Sequence, residues 1–126
     1  TGSNAEGLRA IVSWLDGAEG GLLFANLVDF DQQFGHRNDV PGFHGALREF
    51  DDALPGLLDR LREDDLLLIT ADHGNDPTTP STDHARENVP LLALGGMVRP
   101  RSLGVRSTFS DVGATVAEWL GIGFRG

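Results

Sequence analysis

Three short apolar runs constrain this chain more than any other feature. Leu22 to Val28, Leu66 to Thr70 and Val89 to Gly95 are each flanked by glycine, proline or acidic residues. Apolar runs of roughly four to eight residues between turn formers read as strands buried on both faces. Segments of helical period lie around them. Leu8, Ile11, Val12 and Leu15 predict an amphipathic helix over about residues 5–16. Pro41 and Gly42 open a second helix in which Phe43, Leu47, Phe50, Leu54, Leu57, Leu58 and Leu61 repeat, and Pro55 is expected to kink or split it. Val112, Val116, Trp119 and Leu120 mark a last helix stopped by Gly121. Residues 96–108 read as a loop with room for one short strand. Strands alternating with helices predict an α/β fold, a parallel sheet covered on both faces.

With 126 residues the chain is expected to form one domain, residues 1–126, that buries roughly 65–70% of its unfolded surface. The formal net charge of −9 disfavours nucleic acid and anionic membranes as partners, because both are bound through basic patches. No apolar stretch approaches the ~20 residues of a membrane span. Cysteine is absent, so any metal must be held by carboxylate, imidazole or water rather than thiolate. The start, Thr1-Gly2-Ser3-Asn4, has neither an initiator Met nor a signal-peptide pattern, and reads as cut from something longer.

The ends of the apolar runs carry the chemistry. Asp29 and Asp31 follow the first run, and Asp72 and His73 follow the second. In an open α/β sheet, ligands gather outside the carboxyl ends of the strands, so both pairs are expected at one rim. His36 and His84 lie in loops leaving that rim. The loop from Asp72 to Asn88 is rich in Pro, Thr and Asp, and at about 17 residues it is longer than most connections. Each residue also has a plainer reading. Asp29 or Asp31 alone could cap a turn, and His36 alone could be a solvated loop residue. Asp72-His73 could be a hydrogen-bonded turn, and His44 lies inside a helix with no acid nearby. Several carboxylates and three imidazoles converging on one rim favour a metal site of hydrolase or phosphotransferase type.

Three segments carry a more specific likeness. Asn26-Leu27-Val28-Asp29-Phe30-Asp31 with Gly35-His36-Arg37, Thr70 to Pro77, and Thr82-Asp83-His84-Ala85-Arg86-Glu87 resemble the phosphopentomutase family of the alkaline phosphatase superfamily. The resemblance runs over almost the whole chain, including Phe50-Asp51, Leu54-Pro55 and Phe109 to Thr115. It implies a mostly parallel, three-layer α/β/α core of alkaline phosphatase-like type, of which this chain matches the C-terminal part. It also implies that Asp31, His36 and His84 bind one divalent metal, while Asp72 and His73 bind a second. Asp31 is preferred to Asp29 because it lies five residues before His36, the family's interval. Oxygen and imidazole donors without sulfur suit Mn2+ first, with magnesium, cobalt or zinc as weaker options.

The family's substrates are pentose phosphates, interconverted between 1- and 5-phosphate through an enzyme phosphothreonine, and its setting is cytoplasmic nucleotide metabolism. The family's threonine nucleophile, a further aspartate of the second metal and the cap domain have no counterpart here. Thr70, Thr78, Thr79 and Thr82 stand in other motifs. The chain alone is therefore expected to be inactive, and to self-associate through uncovered apolar surface. Arg37, Arg86 and Glu87 are candidates for orienting the ligands, although Arg86 and Glu87 could equally be an exposed ion pair. The rival readings are a cofactor-independent phosphoglycerate mutase or a phosphodiesterase of the same superfamily and, in another class, a metal-binding domain without catalysis.

Overall fold

The structure, a computed structural model, describes residues 1–17 and 20–123. Helix α1 spans Asn4–Gly17, in agreement with its apolar period. Its start is fixed by a reciprocal pair. The Asn4 backbone N–H donates to Asp29 Oδ2 at 2.7 Å, and the Asp29 N–H donates to Asn4 Oδ1 at 2.9 Å. Asp29 thus serves as a clamp on the start of α1.

Helix α2 spans Val40–Leu58. Asp39 caps it by accepting from the Gly42 N–H at 3.0 Å, and Pro41 occupies the first turn, where its missing donor costs nothing. Pro55 does not split α2, which continues to Leu58. A proline so near the C-terminal end removes only one intrahelical bond. Helix α1 packs on α2, and Arg60 beyond the end of α2 reaches back to Asp16 at 3.0 Å. Helix α3 spans Ser110–Trp119. Gly121 takes a left-handed φ of 67° after it, and the Ile122 N–H returns to the Ala117 carbonyl at 2.9 Å, closing the helix end. Trp119 Nε1 ties α3 to the Asp64 carbonyl at 3.0 Å.

Two strands form, β1 (Leu67–Thr70) and β2 (Leu91–Leu94), and they correct the sequence reading in two respects. First, they pair antiparallel, with Leu67 opposite Leu94 and Thr70 opposite Leu91. A parallel pair needs a crossover, usually a helix, between its strands. Residues 71–90 contain no helix, so this connection can return to the same end and reverse the chain. Secondly, the run Leu22 to Val28 is not a strand. Among the described residues nothing pairs with it, and Leu22 and Phe24 are 63% and 85% exposed. Residues 96–108 likewise contain no strand. The α/β class holds, with the sheet among the described residues limited to this one antiparallel pair.

The described core is thin. Ala46 and Leu57 of α2 and Ala117 of α3 are its buried apolar residues, and no large side chain is completely enclosed. No described helix is long and apolar enough to cross a membrane.

Candidate metal centre

Asp31 and His36 are placed by the turns that precede α2. Residues Phe30–Phe34 form a single π-helical turn, closed by the Gly35 N–H on the Phe30 carbonyl, and Gly35–Arg37 follows as a 3-10 turn. In an α-helix, residues five apart diverge around the axis. The wider π turn brings i and i+5 to one side, and such turns recur at functional sites. Asp31 Oδ2 accordingly stands 3.3 Å from His36 Nε2. The turn is anchored on α2: the Phe30 ring meets Phe43 edge-on at 5.7 Å, and the Phe34 ring lies directly over Gly42.

His73 and His84 come from the connection between β1 and β2. Because Thr70 and Leu91 pair, the connection leaves and re-enters the sheet at one end. Gly74 bridges Ala85 across it, with the Ala85 N–H donating to the Gly74 carbonyl at 2.8 Å. This pinch stacks the His73 and His84 rings at 3.6 Å with 16° between their planes. The loop is also tied to the turns before α2. Asn38 Nδ2 donates to the Thr79 carbonyl at 3.0 Å, and Asp76 Oδ1 holds the Thr78 hydroxyl at 2.6 Å and its N–H at 2.9 Å. These two donors, the hydroxyl first, lower the Asp76 carboxyl below its ordinary value.

Asp31 is the hub. Its Oδ1 lies 3.7 Å from His84 Nε2 and 4.0 Å from His73 Nε2, while its Oδ2 faces His36. One donor atom each from Asp31, His36 and His84 falls within 4.8 Å of the others, close enough to share one cation. Asp72 is adjacent but turned outward: its side chain is 83% exposed, with Oδ1 3.7 Å from His73 Nε2.

Two backbone carbonyls fix how the histidine rings are turned. His36 Nδ1 is 2.6 Å from the Thr82 carbonyl, and His73 Nδ1 is 3.1 Å from the Gly74 carbonyl. A carbonyl oxygen only accepts, so each Nδ1 carries a proton, and Nε2 is the nitrogen turned toward Asp31. Backbone carbonyls that fix the tautomer in this way are the usual outer support of metal-bound histidine.

The structure therefore brings Asp31, His36 and His84 together, sets His73 beside them, and leaves Asp72 at the solvent edge. Asp29 is engaged elsewhere, and His44 is exposed on α2. Arg37, Arg86 and Glu87 make no described hydrogen bond or ion pair with the cluster. Asn75 was not singled out from the sequence. Its Nδ2 lies 3.4 Å from Asp31 Oδ1, and the available signal was its position two residues beyond His73.

Comparison with known proteins gives the family. The model of the metalloenzyme superfamily matches residues 1–123. The chain belongs to the metalloenzyme superfamily. Its relatives in that superfamily include a phosphopentomutase of Caldanaerobacter subterraneus subsp. tengcongensis, 54% identical over 124 residues, which are 98% of this chain and 32% of the relative. A phosphopentomutase of Anaeromyxobacter sp. (strain K) is 57% identical over 122 residues, 97% of this chain and 31% of the relative. One from Carboxydothermus hydrogenoformans is 54% identical over 123 residues, 97% of this chain and 32% of the relative. The chain thus spans about a third of the length of these relatives.

Proposed function

We propose that this chain is the C-terminal, metal-binding segment of a phosphopentomutase core, which interconverts the 1- and 5-phosphates of ribose or deoxyribose. The observation that carries the reading is the Asp31, His36 and His84 cluster, formed in a chain 54–57% identical to phosphopentomutases. Asp31, His36 and His84 hold one divalent cation, Mn2+ by preference. Asp72 and His73 supply part of the shell of a second. Two such cations neutralise phosphoryl oxygens and stabilise the attacking and leaving oxygens during transfer. The protein's own contribution is orientation. The Thr82 and Gly74 carbonyls hold the His36 and His73 tautomers, and the π turn presents Asp31 to the histidines.

The threonine that carries the phosphoryl group in this reading is supplied from outside these residues, as is the remaining shell of the second cation. The segment folds as one domain within a mostly parallel three-layer α/β/α core, in the cytoplasm. In the chain by itself, exposed Leu22 and Phe24 favour self-association.

Replacing the matching third of the Caldanaerobacter phosphopentomutase with this chain tests the reading. The chimera is expected to convert ribose 5-phosphate to ribose 1-phosphate, and its Asp31→Ala form to lose turnover. A folded, metal-loaded chimera with no turnover would overturn the assignment, as would turnover by the 126-residue chain alone.

A further inference from the structure

Gly35 and Asn75 are far apart in sequence yet share one space beside Asp31. A Cβ on Gly35 would overlap the Asn75 amide, standing 2.8 Å from its Cγ and closer still to its Nδ2, and would lie 2.9 Å from the Phe30 carbonyl. Gly35 is buried, and its bare α-carbon is the floor on which the Asn75 amide rests. From that floor Nδ2 reaches Asp31 Oδ1 at 3.4 Å. A carboxylate only accepts, so the amide must present its NH2 side.

We infer that Asn75 is a positioning residue for the metal ligand Asp31, and that Gly35 exists at its position to admit it. The inference rests on the metal-site reading proposed above. Asp31 has two oxygens and three imidazoles around it, and free rotation about its last bond would exchange their partners. A donor fixed on one side removes that freedom. With Asn75 on Oδ1, that oxygen stays toward His84 and His73, and Oδ2 stays toward His36. The hydrogen bond also takes up one lone pair of Oδ1, leaving the other directed at the cation position. Asn75 sits on the connection between β1 and β2 and Asp31 on the π turn, so the contact spans the two elements that supply the histidines.

Calorimetric titration of the chain with Mn2+, alongside its Asn75→Leu and Asn75→Ser forms, tests the inference. Leucine keeps the volume over Gly35 without the donor. Serine stays polar on an arm too short to reach Asp31. Both are expected to bind Mn2+ more weakly than the parent by about 10-fold or more, the lower end of the loss usual for a removed outer-shell partner. Their metal-free melting temperatures should match the parent's, and the electron paramagnetic resonance spectrum of bound Mn2+ should change as Asp31 turns. Parental affinity in either variant would overturn the role of Asn75, as would a loss that merely follows lowered metal-free stability. If the parent itself binds no Mn2+, the metal-site reading fails, a separate result from parental affinity in the variants.

Discussion

Two apolar runs of similar make-up meet opposite fates in this molecule. Leu66 to Thr70 forms the heart of β1, half-buried and paired with β2. Leu22 to Val28 pairs with nothing among the described residues and leaves Leu22, Leu23 and Phe24 exposed. Both nevertheless lead into the candidate site, by different mechanical routes. The second run delivers Asp72 and His73 through a strand and the pinched connection beyond it. The first delivers Asp31 and His36 through a π turn clamped on α2 by Phe30 and Phe34. An apolar run states what a segment can bury. It does not provide the neighbour that makes it a strand, and a site residue at its end can be held by other contacts.

The largest expected effect breaks the point at which the two routes meet. Asp31 faces histidines from both, so Asp31→Ala should weaken Mn2+ binding by more than the ~100-fold that marks the upper range for outer-shell losses. His36→Ala and His84→Ala should each weaken it by more than the ~10-fold expected for loss of an outer-shell partner but by less than Asp31→Ala, since each removes one donor and leaves the others in place. Titration of the purified variants decides this. Parental binding by both histidine variants would separate the cluster from metal binding altogether.

Two phenylalanines on the first route give a sharper and smaller contrast. Phe30→Ala removes the edge-on contact with Phe43 and should lower stability by about 2 kcal/mol, less than the ~3–5 kcal/mol of a fully enclosed ring. It should weaken Mn2+ binding as well, because that contact seats the turn carrying Asp31. Phe24→Ser, only six residues earlier, should change stability by no more than about 0.5 kcal/mol, as an exposed position does. Its effect should appear instead as a lower apparent mass in sedimentation. Equal destabilisation by the two substitutions would show that Phe24 is packed after all.

The smallest effect concerns the connection on the second route. The Asp76 carboxyl is lowered by its two bonds from Thr78. A group depressed in the folded chain stabilises it above the ordinary aspartate value of about 3.9, and that contribution is lost as pH falls through the lowered folded value. Carboxyl resonances followed by NMR should show Asp76 titrating below the ordinary aspartate value, and Thr78→Ala should return it toward that value. A midpoint at the ordinary value in the parent would remove this turn as a support of the loop.

Much of this arrangement was legible in local sequence. The apolar periods of α1, α2 and α3 are short-range patterns, and each helix appears within a few residues of its expected bounds. The five-residue step from Asp31 to His36 was legible as a motif, but the π turn that makes it work was not. That turn depends on Phe30 and Phe34 seating on α2. The preference for Asp31 over Asp29 rests on the interval of the family that the motif resembles, and the structure places Asp31 in the cluster while Asp29 clamps α1. Asn75 escaped notice because its role is visible only beside Gly35.

The sequence by itself determined which residues could carry the chemistry. Carboxylates and imidazoles without thiols, placed at the ends of apolar runs, exclude thiolate ligands and thiol chemistry from whatever site the chain builds. Only the tertiary structure decided which of them meet. Strand direction, the pinch at Gly74 and Ala85, and the seating of the π turn are long-range contacts. Their free energy depends on groups distant in sequence coming together, and no local pattern records that choice.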